Sequence, residues 1–219
     1  MSIGTEYRGA PAGRDPQART RLARKAVVAA ARALFLERGY AATTIEAISD
    51  LSDVPAATVY RLFSSKLGIL KALIDVSIAG DDDAAPVQDR PHVRALLADP
   101  EPRNQLAGFA AISTGIMSRT EPVHRILVSA AASDTDAAAL LDSQTLQRQQ
   151  GQAQIARALA RAGALRPGLR EREAADIIHA LMSPEVYRLL VADRGWTTAK
   201  YQHWLTRTLI DQLLPPPPT

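Results

Sequence analysis

Hydrophobic residues recur every three or four positions along most of this chain, which is the spacing of an amphipathic α-helix. The first such stripe covers residues 18–38 and is followed by Gly39, a residue that favours the end of a helix. A further stripe predicts a helix from Lys66 to Ala79. The sequence has no convincing run of alternating β-branched residues, which is the pattern of a strand. The pattern therefore predicts an all-α fold.

Two short helices with a tight break are predicted between residues 43 and 66. Thr43 and Glu46 have the spacing of a capping box, in which each side chain bonds the backbone N–H of the other residue. Pro55 suits the first turn of the next helix because it has no N–H to donate. Helices joined in this way form a helix-turn-helix, whose second helix can lie in the major groove of DNA. Three apolar residues share a face of the first helix: Ile45, Ile48 and Leu51.

The helical period continues through the rest of the chain after a polar break that begins at Asp81–Asp83. We interpret these three Asp residues as a solvated loop rather than a cation site, because no spaced ligand pattern accompanies them. Pro215–Pro218 end the last helix. The predicted helices of this part cover residues 92–98, 102–119, 122–132, 135–161, 171–193 and 198–214.

Composition restricts the class of protein. The chain has 219 residues, of which 47% are hydrophobic and 22% charged, as in an ordinary soluble globular protein of one or two domains. It has no Cys, which excludes disulfides and thiolate zinc sites and makes the cytoplasm the expected compartment. No stretch approaches the roughly 18 apolar residues of a membrane span, and the N-terminus lacks the apolar core of a signal peptide. No nucleotide- or metal-binding motif is present, so we expect neither cofactor nor metal.

Positive charge is concentrated near the N-terminus. Residues 1–66 contain ten Arg and Lys against six Asp and Glu, whereas the formal net charge of the whole chain is only +3. This distribution predicts a polyanion partner for the first third of the chain. Residues 1–17 are expected to form a flexible arm, with two interpretations open. It is either a solvated tail, or an arm whose Arg14, with Arg19 and Arg21, reaches DNA phosphates or a minor groove.

Three runs of residues resemble the DNA-binding domain of TetR-type transcriptional regulators. They are Phe35–Tyr40, Thr43–Ile48 and Thr58–Lys66, within a similarity that covers roughly residues 20–75. The sequence departs from the family pattern at Asp53, where Gly is usual, at Pro55, where Ser is common, and at Leu62, where an aromatic residue or His is common. Asp tolerates a left-handed backbone better than most residues, so we expect the turn to form.

The C-terminal segment resembles a second domain found in part of the same family. Residues 171–214, including Ser183–Leu190 and the pair Trp196 and Trp204, are similar to a ligand-binding and dimerisation domain. The resemblance implies a homodimer, which by its symmetry would bind a palindromic operator. The predicted domains are a flexible arm (1–17), a helix-turn-helix domain (18–66), a helical ligand-binding and dimerisation domain (67–214) and a Pro-rich tail (215–219).

Eight residues are predicted to contact DNA. Periodicity leaves Thr58, Tyr60 and Arg61 exposed, and Lys66 begins the next helix, whose N-terminus favours a phosphate. The resemblance implies that Tyr60, Lys66 and the hydroxyls of Thr43 and Thr44 hold the DNA backbone. It also places Ala56 and Ala57 where bases are read. Direct readout is then expected from Thr58, Arg61 and methyl contacts to thymine.

A small-molecule site is predicted in the second domain, because apolar stripes on separate helices there are accompanied by a few polar side chains. The effector is expected to be a small hydrophobic or amphipathic molecule that releases the operator from a repressor. Alternatively, the stripes are ordinary core and the Gln residues a solvated face. The candidates are Phe109, Ile112, Ser113, Met117, His124, Leu127, Gln147, Gln150 and His179.

The last two helices are expected to form a four-helix interface with those of a second copy. The predicted interface residues are Ile177, Leu181, Leu189, Trp204, Leu205, Thr208 and Leu209.

Two other classes of function stay open. One is a non-inducible architectural DNA-binding protein, although such a protein would not need the two-thirds of the chain that follow the helix-turn-helix. An all-helical hydrolase is the other, but the chain has no Cys nucleophile and no G-x-S-x-G or H-E-x-x-H motif. Asp176 with His179, or Glu185 with Tyr187, are possible acid and base pairs, and neither supplies a nucleophile. We therefore expect no enzyme activity.

Overall fold

The all-α prediction is confirmed. The computed structural model describes residues 16–80 and 90–216, and this part of the chain contains helices and turns but no strand. The predictions for Arg14 and for the Asp81–Asp83 loop lie outside the described residues. The helices are α1 (Pro16–Ala42), α2 (Ile45–Ser52), α3 (Ala56–Phe63), α4 (Lys66–Ala79), α5 (Pro91–Leu97), α6 (Pro102–Ala131), α7 (Thr135–Arg161), α8 (Glu171–Leu181), α9 (Pro184–Tyr187) and α10 (Thr198–Leu213), with a π-helical segment at Arg188–Asp193.

Helix α1 buries one face and changes direction near its end. Val27, Ala31 and Phe35 are almost fully buried. Gly39 has a left-handed φ of 79°, so the helical path is interrupted where the sequence predicted its end. Leu22 lies within the stripe predicted over residues 18–38, but its side chain is 67% exposed. At about 100° per residue it lies roughly 140° around the helix from Val27.

Helices α2 and α3 form the predicted helix-turn-helix, with two local corrections. The residue that caps α2 is Thr44 rather than Thr43, because the Thr44 hydroxyl oxygen accepts from Ala47 N at 3.1 Å. Leu51 is 54% exposed, since six positions place it about 120° around the helix from Ile45. Asp53 has φ 53° and ψ 27°, so the predicted left-handed turn is confirmed.

A very short turn connects α3 to α4. Ser65 caps α4 by accepting a hydrogen bond from Gly68 N at 3.0 Å. A Cβ at Gly68 would overlap the carbonyl oxygen of Phe63, so only glycine allows α4 to approach the end of α3 this closely. The position of the recognition helix α3 is therefore tied to the start of α4.

One continuous helix replaces two that the sequence predicted. Helix α6 has 30 residues and contains Pro122, which was expected to start a new helix. A proline removes one helical hydrogen bond and normally interrupts a helix. Here both halves are anchored, by Leu106 and Ala110 before the proline and by Val123 and Leu127 after it, all of them buried. Tertiary packing thus maintains the helix across Pro122.

The opposite correction applies to residues 171–193, which the sequence predicted as one helix. Helix α8 ends at Leu181, and Ser183 then starts a new turn by accepting a hydrogen bond from Val186 N at 3.2 Å. Pro184 follows at the first helical position, where its missing N–H is tolerated. Local capping chemistry therefore ends α8 at Leu181, twelve residues before the predicted end at residue 193.

Two apolar cores lie along α6. The first combines α1–α4 with Val123, Ile126 and Leu127 from the second half of α6. The second combines the first half of α6 with α7, α8 and α10. Helix α6 therefore connects the helix-turn-helix to the C-terminal helices. No described helix has the length and hydropathy needed to cross a membrane.

Candidate DNA-binding and ligand sites

The recognition helix α3 has one buried and one exposed face. Val59 and Phe63 pack into the first core, while Ala57, Tyr60 and Arg61 are exposed. The half-buried Ala56 and Thr58 lie between the two faces. Of the predicted DNA-contacting residues on α3, these three exposed ones can meet a DNA surface without any rearrangement.

The two neighbouring threonines have different environments. Thr44 is exposed, and because its oxygen accepts the capping bond from Ala47 N, its hydrogen is free to donate to a phosphate. Thr43 is only 1% exposed, and its hydroxyl donates to Gly39 O at 2.8 Å. The expectation that the Thr43 hydroxyl holds DNA is therefore wrong: Thr43 stabilises the end of α1.

Lys66 also faces the protein rather than an open surface. Its ammonium group donates to Tyr40 O at 2.7 Å and to Thr43 O at 2.8 Å, with Ala41 O at 3.5 Å. The same Nζ lies 4.3 Å from the centroid of the Tyr40 ring, and burial lowers the pKa of Lys66. The last carbonyl groups of a helix have no hydrogen-bond donor within the helix, and the ammonium group of Lys66 donates to them instead. These bonds give Lys66 a structural role that competes with its predicted phosphate contact.

A cavity of about 690 Å³ lies between α4, α6 and α7. This volume is within the range of sites for drug-sized ligands, about 300–1,000 Å³. The last turns of α4 supply Ile74 and Ile78 to its wall, and Met182 and Pro184 line it near the end of α8. The predicted ligand-binding residues that line it are Phe109, Ile112, Ser113, Met117, His124, Leu127 and Gln147.

Two predicted ligand-binding residues are not in the wall of this cavity. Gln150 is an exposed residue of α7 and does not line the cavity. His179 lies behind the wall, where its Nδ1 is 2.9 Å from Gln152 Oε1. Gln152 in turn donates to Met182 O at 3.2 Å. His179 is therefore a supporting residue whose contact with the cavity runs through Gln152.

His124 and Arg148 bring ionisable groups to the apolar wall. Burial lowers the pKa of His124, Arg148 acts in the same direction, and Glu185 opposes both, with its Oε1 3.6 Å from His124 Nε2. Burial also lowers the pKa of His179. The imidazoles therefore favour their neutral forms, which suits an apolar site.

The N-terminal helices carry the signature of a known family. Residues 27–73 match the family described as bacterial regulatory proteins, tetR family. Residues 27–73 are therefore a TetR-family DNA-binding domain, whose helix-turn-helix is α2 and α3.

Solved structures of TetR regulators share the fold at low sequence identity. NalD, the secondary repressor of the MexAB-OprM multidrug efflux pump in Pseudomonas aeruginosa, has 21% identity and a TM-score of 0.68, covering 90% of this chain and 97% of that chain. TylP, a TetR regulator from Streptomyces fradiae, has 20% identity and a TM-score of 0.61, with 92% and 90% coverage. No curated protein matches this sequence.

The residues expected at a dimer interface fall into two groups. Leu205 and Leu209 are 0% exposed because α10 packs every fourth residue into its own second core, so neither can contact another copy. That part of the prediction is wrong. The remaining candidates reach the surface: Leu189 is 50% exposed, and Ile177, Leu181, Trp204 and Thr208 are half-buried.

Several functional candidates were missed by the sequence analysis. Arg24 donates to Leu62 O at 2.8 Å and lies over the Phe63 ring at 4.5 Å, so it supports the recognition helix. Arg119 of α6 donates to Ser77 O and Ile78 O at 3.0 and 3.2 Å, joining α6 to the end of α4. Arg148 lines the cavity. Its i, i+4 relation to Gln144 and Gln152 was the available signal on α7.

Proposed function

We propose that this chain is a TetR-family transcriptional repressor that responds to a ligand and acts as a homodimer on a palindromic operator. The observation that supports this most directly is that α4 contacts the recognition helix region at one end and the cavity at the other. Only two residues separate its first residue, Lys66, from the end of α3, and its last turn, with Ile78 and Ala79, lines the cavity. A ligand in the cavity would therefore contact the helix that holds the recognition helix in place.

A second connection supports the same response. Arg119 extends from α6, which supplies much of the cavity wall, to the carbonyl oxygens of Ser77 and Ile78 at the end of α4. A shift of α6 around a ligand would pull on these bonds. A ligand changes operator affinity only if it prefers the arrangement in which the two recognition helices are wrongly spaced. Repression also agrees with the fold shared with NalD, itself a repressor.

The proposed DNA surface consists of Thr44, Ala57, Tyr60 and Arg61, with Ala56 and Thr58 at its margin. Tyr60 and Thr44 would hold phosphates, and Arg61 with the methyl groups of the alanines would contact base edges. The proposed dimer surface consists of Ile177, Leu181, Leu189, Trp204 and Thr208 from α8, the π-helical segment and α10.

The experiment is selection of bound promoter fragments by the purified protein, followed by affinity measurements on the enriched sequence. We expect a palindrome bound by a dimer. Arg61→Ala should weaken specific binding by about 1–3 kcal/mol per half-site. Arg172→Ala removes the same charge from an exposed position on α8 and should leave operator affinity unchanged. A compound screen against the complex then tests the response. Enrichment without a palindrome, or a complex that no compound weakens, would support the non-inducible architectural alternative.

A further inference from the structure

Arg148 lies in the middle of the α7 face that lines the cavity. Gln144, Thr145, Gly151 and Gln152 line it on either side along the same helix. Arg148 is the only Arg or Lys among the described residues of the wall. The wall also includes Asp75, whose carboxylate pairs with Lys71 at 2.9 Å outside the cavity. The cavity therefore combines an apolar body with one cationic group.

The guanidinium group of Arg148 is not saturated. Its Nη1 has almost no solvent contact and no hydrogen-bond acceptor among the described residues. Glu185 acts on Arg148 electrostatically, but in the described part of the chain no carboxylate forms an ion pair with it. A buried charged donor without an acceptor is unfavourable, because the lost hydration is not replaced. The site thus lacks an acceptor that a ligand can supply.

A second unpartnered nitrogen lies on the opposite helix. His124 of α6 lines the same cavity, and its buried Nε2 has no hydrogen-bond partner, with Glu185 Oε1 at 3.6 Å. His124 and Arg148 are close enough for their charges to interact. In the tautomer that carries its proton on Nε2, His124 can donate to a ligand beside Arg148.

We propose that the effector is an amphipathic acid, an apolar molecule with one carboxylate, and that Arg148 binds the carboxylate with His124 beside it. This inference rests on the ligand response proposed above and names the chemistry of that ligand. A guanidinium fork can hold both carboxylate oxygens. The apolar body would lie against Phe109, Met117 and Leu127.

The test compares dodecanoate with dodecanol, which has the same chain and no charge, by calorimetric titration of the full-length protein. The informative quantity is the ratio of the two affinities, because dodecanol is intrinsically the more hydrophobic. Arg148→Gln should lower the ratio roughly 10- to 100-fold, the effect of a charge-assisted hydrogen bond. Arg157→Gln removes the same charge from the same helix outside the cavity and should leave the ratio unchanged.

A second variant tests the charge in the opposite direction. Glu185→Gln removes the carboxylate that acts on both Arg148 and His124 and should raise dodecanoate affinity severalfold without changing that of dodecanol. An unchanged ratio in Arg148→Gln, or no binding of dodecanoate by the wild type, overturns the inference.

The failure of this inference can be distinguished from that of the ligand response. If dodecanoate binds through Arg148 and operator affinity does not change, the acid site stands and the response fails. If an uncharged or cationic compound releases the operator equally well from wild type and Arg148→Gln, the response stands and the acid site is overturned.

Discussion

At the scale of single residues, Lys66 joins three helices through one ammonium group. It binds carbonyl oxygens at the end of α1 and just before α2, and it begins α4. Lys66→Met should therefore lower the free energy of unfolding by about 1–3 kcal/mol, because the carbonyls lose a charged donor. The measurement is a urea unfolding curve. The salt slope of operator binding should not change, because the slope counts phosphate contacts and the ammonium group of Lys66 is bound to carbonyl oxygens. A lower salt slope for Lys66→Met with normal stability would return this residue to the DNA interface.

The buried imidazole of His124 predicts a pH dependence of stability. Its pKa is lowered in the folded state by burial and Arg148, against the opposing effects of Glu185 and Glu121. Below about pH 6.5, the ordinary pKa of histidine, the unfolded chain therefore binds more protons, and stability falls as pH decreases. The free energy of unfolding, measured from unfolding curves between pH 7.5 and 5.5, should fall less steeply with decreasing pH for His124→Gln than for the wild type. Equal slopes would show that His124 titrates normally.

At the scale of elements, Arg119 is the contact that couples α6 to α4. The Arg119 guanidinium also lies against the backbone of Gly80, since a Cβ at Gly80 would be 2.7 Å from it. We expect Arg119→Met to retain ligand binding and operator binding while reducing their coupling, which is typically about 1–3 kcal/mol. The measurement is operator affinity with and without a saturating ligand. Arg103→Met, in the first turn of the same helix, is the control. Full coupling in Arg119→Met would mean that α4 responds through apolar contacts alone.

At the scale of the whole molecule, the burial of α10 separates folding from assembly. Leu205→Glu places a charge in the second core and should unfold the chain, with a cost of several kcal/mol. Leu189→Glu changes a half-exposed side chain on the proposed dimer surface and should separate the subunits while the helical content stays normal. Sedimentation and circular dichroism distinguish the two outcomes. A stable wild-type monomer at micromolar concentration would contradict the proposed dimer.

Features that depend on neighbouring residues could be predicted from the sequence alone. The bounds of α4 and α7, the presence of two short helices between residues 43 and 66 and the left-handed turn at Asp53 all follow from periodicity, caps and turn chemistry within a few positions. The resemblance to the TetR DNA-binding domain lies in the same stretch that the family model matches. These features are predictable because their free energies arise mainly within one or two helical turns.

The direction in which individual side chains face, and the groups that they bind, depend on the tertiary structure. It keeps α6 continuous across Pro122, turns Lys66 inward, buries Leu205, and brings Arg148 rather than Gln150 to the cavity. Each of these outcomes depends on residues far away in the chain, such as Tyr40 for Lys66. Helical periodicity gives the angle between side chains on one helix, but the packing of the other helices decides which angle is buried.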